Sequence, residues 1–220
     1  MTVTEPATPR TPDEAGTPAR VSLREELGGT PDPDFTLALP PGWNRRDATP
    51  EEQERMTAAM RTRLMQVHRP DLYARMRQLL HEAFAQMEKT NVVAMFLPDE
   101  AAPEALYLPA SLTASILHAP AAGSLDDLVR EAVAREGATP LLGDKRFLRA
   151  EREQTQTLDG ESGTLTTVVY LTPIPGSGRR RALQLALVIV RPQDVPADDE
   201  PMVQMRMLFD LCVSTLTWLP

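Results

Sequence analysis

Two apolar runs in the second half of the chain set the tightest limit on what this sequence can fold into: Thr164 to Thr172 (TLTTVVYLT) and Ala182 to Val190 (ALQLALVIV). Both are rich in β-branched and long aliphatic side chains, both are far too short to cross a bilayer, and the turn-rich PIPGSGRRR joins them. They predict adjacent antiparallel strands at the centre of a sheet. Every other segment has to be placed around that pair.

Upstream, residues 1–33 are dominated by Pro, Thr, Glu and Asp and carry hardly an apolar side chain. Such a segment cannot bury enough surface to offset its chain entropy, which predicts a disordered tail. At Asp34 the character changes. Phe35, Leu37 and Leu39 alternate with polar or small residues, and Pro40-Pro41-Gly42 stops the run. This predicts a first strand closed by a tight turn, with Trp43 folded back over the edge of the core. Thr49 then serves as an N-cap, Pro50 occupies the first helical position, and Glu51, Glu52 and Glu54 suit a positive helix end. Apolar positions recur at helical spacing through Val67, break at His68-Arg69-Pro70, and resume from Leu72 to Met87. Residues 50–89 are therefore a helical pair, either a hairpin or one kinked rod.

Asn91 to Pro98 reads as a buried strand, and Ala105 to Leu117 as one or two strands that Pro109 places near an edge. Ser124 and Asp127 form a capping box for a helix from Leu125 to about Glu136, ended by Gly137. Arg146 to Leu158 alternates as a strand with one wet face, and Asp159 to Gly163 is a hairpin turn into the central pair. After an acidic loop, Asp198 or Asp199 caps a last helix with Met202, Met205, Leu208, Phe209, Cys212 and Leu216 on its buried stripe. The elements add up to one α+β domain over residues 34–220. Its sheet is mainly antiparallel and flanked by helices, an α/β/α sandwich with a disordered N-terminal tail.

Motifs for chemistry fail on spacing. His81-Glu82 begins like a zinc helix, but Ala85 stands where the second ligand belongs. Ser162 and Ser177 lack the spacing of a nucleophile elbow, and neither a Gly-rich dinucleotide fingerprint nor a P-loop lysine occurs. The lone Cys212 excludes an internal disulfide and, amid Leu208, Phe209 and Leu216, reads as an inert buried thiol. The expectation is no catalytic residue, no cofactor and no metal site. A net charge of −8 argues against nucleic acid as a partner, and the arginines between Arg55 and Arg77 read as a solvated face. Without an apolar run long enough to span a bilayer or a signal-like N-terminus, no membrane is expected, and the expected location is the cytoplasm.

The order of motifs resembles the small α/β/α sandwich shared by PsbP, the mycobacterial LpqN-type proteins and the DcrB-type secretion accessory proteins. The residues that carry the likeness are the opening strand with its Pro-Gly-Trp turn (Phe35 to Trp43), the hairpin VVYLTPIPGSGRRRALQLALVIV, and the closing helix ending Ser214-Thr215-Leu216-Thr217-Trp218. The resemblance implies a non-catalytic protein that binds other proteins, in several cases as an accessory to secretion or assembly. It supplies no catalytic residue to carry over.

The chain has ten methionines, and they gather on the helical pair and the last helix. Methionine stripes make adaptable contact surfaces, and a domain that already has two other helices to cover its sheet leaves such a pair with apolar surface to spare. Met56, Met60, Met65, Met76 and Met87 are therefore the candidate partner-binding residues, for another protein or for self-association. The leading function is a protein-binding or adaptor protein. The alternatives are a carrier of a small apolar ligand, and an enzyme with a site assembled from scattered groups such as His81, Glu82 and Arg149.

Overall fold

A computed structural model describes residues 32–99, 102, 105, 106, 108–120, 123–158 and 161–219. The tail expected over 1–33 lies outside these apart from its last two residues. The elements, in chain order, are β1 (Phe35–Thr36), β2 (Trp43–Arg46), α1 (Pro50–Gln66), α2 (Pro70–Lys89), β3 (Val92–Pro98), β4 (Ala110–His118), α3 (Leu125–Glu136), β5 (Thr139–Leu141), β6 (Asp144–Leu158), β7 (Glu161–Pro173), β8 (Arg181–Pro192), α4 (Glu200–Ser214) and β9 (Thr217–Trp218).

Seven strands form one sheet in the order β2-β3-β4-β8-β7-β6-β5, every neighbouring pair antiparallel. The two apolar runs are β7 and β8, and β8 is the central strand. Their register, with Tyr170 opposite Leu185 and Val168 opposite Leu187, puts Thr166, Val168, Tyr170, Leu185, Leu187 and Ile189 on one face, all almost wholly buried. Leu112 and Ala114 of β4 and Phe96 of β3 continue that face. Against it packs α4, through Met205, Phe209, Cys212 and Val213. The small sheet β1-β9 closes the same layer, with Phe35 edge-on to Trp218 at 6.0 Å and tilted against Phe96 at 6.3 Å.

The opposite face carries α3 at one end, where Leu125 and Leu128 meet Leu117, Ala119 and Ala182. The helix α2 contacts β3, with Phe84 buried. The architecture is thus α+β, an antiparallel sheet between helices.

Three expectations change in detail. The strand expected through Leu39 pairs only over Phe35–Thr36, although Leu37 is buried and Leu39 half-buried as the alternation requires. Beyond Thr36 the backbone turns to other partners, such as the Thr215 hydroxyl that accepts from the Ala38 N–H at 2.8 Å. Trp43 is not at the rim. It is 4 % exposed, donates its indole N–H to the Leu106 carbonyl at 2.7 Å, and stands edge-on to Phe209 at 5.1 Å. The turn before it needs Gly42, which has φ +69° and sits so close to Ala105 that a Cβ would overlap that residue's backbone. Finally, Pro109 does not mark an edge. β4 is a single strand between β3 and β8, and Pro109 precedes it, removing no ladder donor while its carbonyl accepts from Val190 N–H at 2.8 Å.

Candidate functional site

The helical pair is a hairpin. The Thr49 hydroxyl accepts from Glu52 N–H at 3.3 Å to open α1, with Pro50 in the first turn. Three residues, Val67 to Arg69, reverse the chain: His68 takes φ 56°, and Arg69 N–H reaches back to the Leu64 carbonyl at 2.9 Å. An Arg69–Asp71 ion pair then opens α2 with Pro70 in its first turn. Gln53 near the start of α1 meets His81 well along α2, amide nitrogen to Nδ1 at 3.2 Å, so the helices run antiparallel.

The two faces of this hairpin differ. One carries more polar groups, Gln53, Glu54, Thr57, Arg61, Tyr73 and His81 among them. The other is an apolar groove of about 860 Å³, with Met56, Met60 and Leu64 from α1 and Leu72, Met76 and Leu79 from α2 at its centre. Leu97 and Pro98 of β3 close it at the end nearest the sheet, and Arg46, Arg55, Arg63 and Asp99 rim it. No residue of α1 is buried, and Phe84 is the one buried residue of α2. The hairpin's apolar face is therefore outside the core that α4 closes.

Arg46 fixes the hairpin to the sheet edge. Its guanidinium contacts Glu52 at 3.1 Å and Asp99 at 3.9 Å, while Arg55 holds the same Glu52 carboxylate at 2.6 Å. Burial raises the pKa of Glu52, but hydrogen bonds from Arg55 and Arg46 outweigh it and leave the carboxyl below its ordinary value.

The five candidate methionines divide. Met56, Met60 and Met76 line the groove together, Met76 being 39 % exposed. Met65 lines the more polar face with Tyr73, and Met87 is half-buried beyond the groove. For Met65 the cause is angular. It stands five residues after Met60, about 140° beyond a full turn, so it cannot share that face.

Residues considered for an assembled enzyme site have separate partners. His81 meets Gln53, Glu82 accepts from Gln78 at 2.9 Å, and Arg149 belongs to another cluster altogether. Its Nε donates to both Asp210 oxygens at 2.9 and 3.1 Å, and its Nη2 to Glu151 at 2.7 Å. Tyr170 donates its hydroxyl to Asp210 at 2.7 Å, and Arg206 approaches Glu151 at 3.4 Å. Burial, reinforced by the Asp210 carboxylate, pushes the Tyr170 phenol far above its ordinary range. These charges satisfy one another between α4 and the sheet, which is the work of a clamp. The Cys212 thiol is likewise pushed up by burial. No cluster of three or more metal-ligating side chains occurs among the described residues, and none of their helices is long and apolar enough to cross a membrane.

Reading for core stripes missed one exposed feature. Val203, Met207 and Leu211 are 40, 57 and 51 % exposed on the outer side of α4. Their i, i+4, i+8 spacing is visible in the sequence, overshadowed there by the stronger buried stripe beside it.

No family model matches the chain, and no curated protein matches it. A crystal structure of a protein from Bacteroides thetaiotaomicron VPI-5482 is similar to it with a TM-score of 0.40 and 11 % sequence identity, over 84 % of this chain and 45 % of that one. The chain thus spans under half the length of that protein.

Proposed function

We propose that this chain is a non-catalytic protein-binding module, acting in the cytoplasm, whose contact surface is the apolar face of the α1-α2 hairpin. The observation that supports it is the placement of Met56, Met60, Leu64, Leu72, Met76 and Leu79 in one groove outside the closed core. A two-helix face of Met and Leu matches the apolar stripe of a third helix, whose side chains at i, i+3, i+4 and i+7 seat between the two. Methionine suits such a surface because its unbranched side chain repacks around different partners. With Met76 well exposed, the groove is open to solvent, which favours a helix over a small enclosed ligand.

The test is direct binding of a fluorescein-labelled amphipathic Leu/Glu helix matched to the 17 residues of α1. Saturable binding is expected, and a Met60→Asp/Met76→Asp variant should abolish it while its circular dichroism spectrum is retained. Binding that survives those substitutions would place the contact surface elsewhere.

A further inference from the structure

We propose that a cavity between α3 and the sheet binds a medium-chain carboxylate, with the alkyl chain inside and the carboxylate at Lys145. The site is separate from the hairpin groove and stands or falls without it.

The floor of the cavity follows from the register of the sheet. Leu148 of β6 stands opposite Leu171 of β7, and Ala182 of β8 lies between Pro173 of β7 and Leu117 of β4, all on the face turned away from α4. A small side chain between larger neighbours leaves a hollow, and Leu128 and Val129 of α3 roof it. The space is about 210 Å³. At about 30 Å³ for each group the size of a water molecule, it holds about seven non-hydrogen atoms. That suits the alkyl chain of octanoate and is too little for a helix or a drug-sized ligand.

The wall beside β5 is made by a break in the ladder. Leu141 pairs with Asp144, but the preceding Pro140 pairs with Leu148, so Lys145, Arg146 and Phe147 bulge out of β6, and all three line the cavity. Asp144 holds the bulge in shape. Its carboxylate accepts from the Arg146 backbone N–H at 2.9 Å and from the Arg146 Nη2 at 2.6 Å.

Charge selects the head of the ligand. Among the described residues, the charged side chains that line the cavity are Lys145, Arg146 and Arg179, and none is an acid. Arg146 is taken up by Asp144 and Arg179 by Asp126, neither of which lines the cavity. Lys145 alone has no acidic partner among the described residues. A carboxylate supplies one where the apolar space opens. The ammonium is exposed, so the ion pair adds modestly and fixes orientation, while burial of the chain carries most of the affinity.

Titration calorimetry of the full chain with the series from hexanoate to dodecanoate tests this at about pH 7, where lysine is protonated and a carboxylic acid ionised. Octanoate should bind saturably at one site. Affinity should rise about three- to fourfold for each methylene up to octanoate and level off by decanoate, when the cavity is full. An affinity that keeps rising to dodecanoate would be adsorption on exposed apolar surface and would overturn the cavity as the site. So would the absence of saturation by about 1 mM octanoate. Ala182→Leu fills the floor and should move the preferred chain about three carbons shorter; an unchanged preference in the folded variant would place the ligand elsewhere. Should that variant fail to fold, Lys145→Met, at an exposed position, still decides. It should weaken octanoate about threefold and leave the binding of octanol as it was. No effect on octanoate, or an equal effect on both, would overturn the carboxylate. A saturating amount of the Leu/Glu helix should leave the octanoate affinity unchanged, and displacement would put octanoate in the hairpin groove instead. A chain that binds octanoate but not the helix would keep the cavity and lose only the groove reading.

Discussion

Replacing Phe209 with alanine should be the most damaging single truncation in α4. The ring is fully buried, edge-on to Trp43 at 5.1 Å, in the cluster that joins the helix to β3, β4, β7 and β8. Removing a phenyl ring from such a site loses its transfer free energy and leaves a cavity that the sheet beneath cannot collapse to fill. The usual cost is about 3 to 5 kcal/mol. In a domain of this size, each kcal/mol lowers the melting midpoint by about 2–4 °C, so a drop of roughly 10 °C is expected. Urea titration followed by far-ultraviolet circular dichroism measures the same loss as a lower midpoint at unchanged slope. Met207→Ala is the internal control: the same helix, but a side chain 57 % exposed, where a change within about 0.5 kcal/mol is expected. If Phe209→Ala proved as mild as Met207→Ala, α4 would not be part of the cooperative core, and the assignment of the core to that face of the sheet would be wrong.

Two further outcomes follow from the ion pairs. Asp210→Ala strips the partner from both Tyr170 and Arg149 and should cost about 2–3 kcal/mol in the same urea titration, whereas Tyr170→Phe, which leaves the Arg149–Asp210 pair intact, should cost about 1 kcal/mol. Glu52 has a folded pKa below its ordinary 4.5, so the stability it contributes is complete above that value and is lost as pH falls through the folded pKa. The hydrogen-exchange protection factor at the start of α1, corrected for the intrinsic rate, should fall below about pH 4.5, and Glu52→Gln should remove much of that acid-dependent step.

The sheet was legible because its signal is local. In β8 every second side chain from Leu183 to Ile189 is aliphatic on the face that α4 covers, opposite Thr166, Val168, Tyr170 and Thr172 of β7, and the turn-rich link between the strands leaves little choice of pairing. Pro109 misled because a proline next to a strand and one inside it look alike in sequence, and only the register shows which carbonyls and amides it faces. The Arg149–Asp210–Tyr170 clamp was invisible for a different reason: its members lie 61 and 40 residues apart, and nothing in their spacing anticipates the packing of α4 over β6 and β7. The strand over Arg146 to Leu158 read only as having one wet face, and Arg149 and Glu151 in fact meet a helix. For the groove, helical periodicity put Met56, Met60 and Met76 together correctly. Counting methionines without their angular positions added Met65, which the helix turns to the opposite side.

The division of labour between α4 and the hairpin explains how a chain can hold so much apolar surface in reserve. Sheet face, α4 and the β1-β9 pair close a core with little need of α1, whose contacts are mainly with α2. The hairpin is held at its base by Arg46, Glu52 and Phe84, and its groove is left open. A half-buried row of Leu and Met forgoes about 25 cal/mol for each further Å² that a partner would bury. On the proposed reading, that forgone stabilisation is what a bound helix would recover without rearrangement of the core. Substitutions in the groove should therefore separate binding from folding, and substitutions under α4 should not.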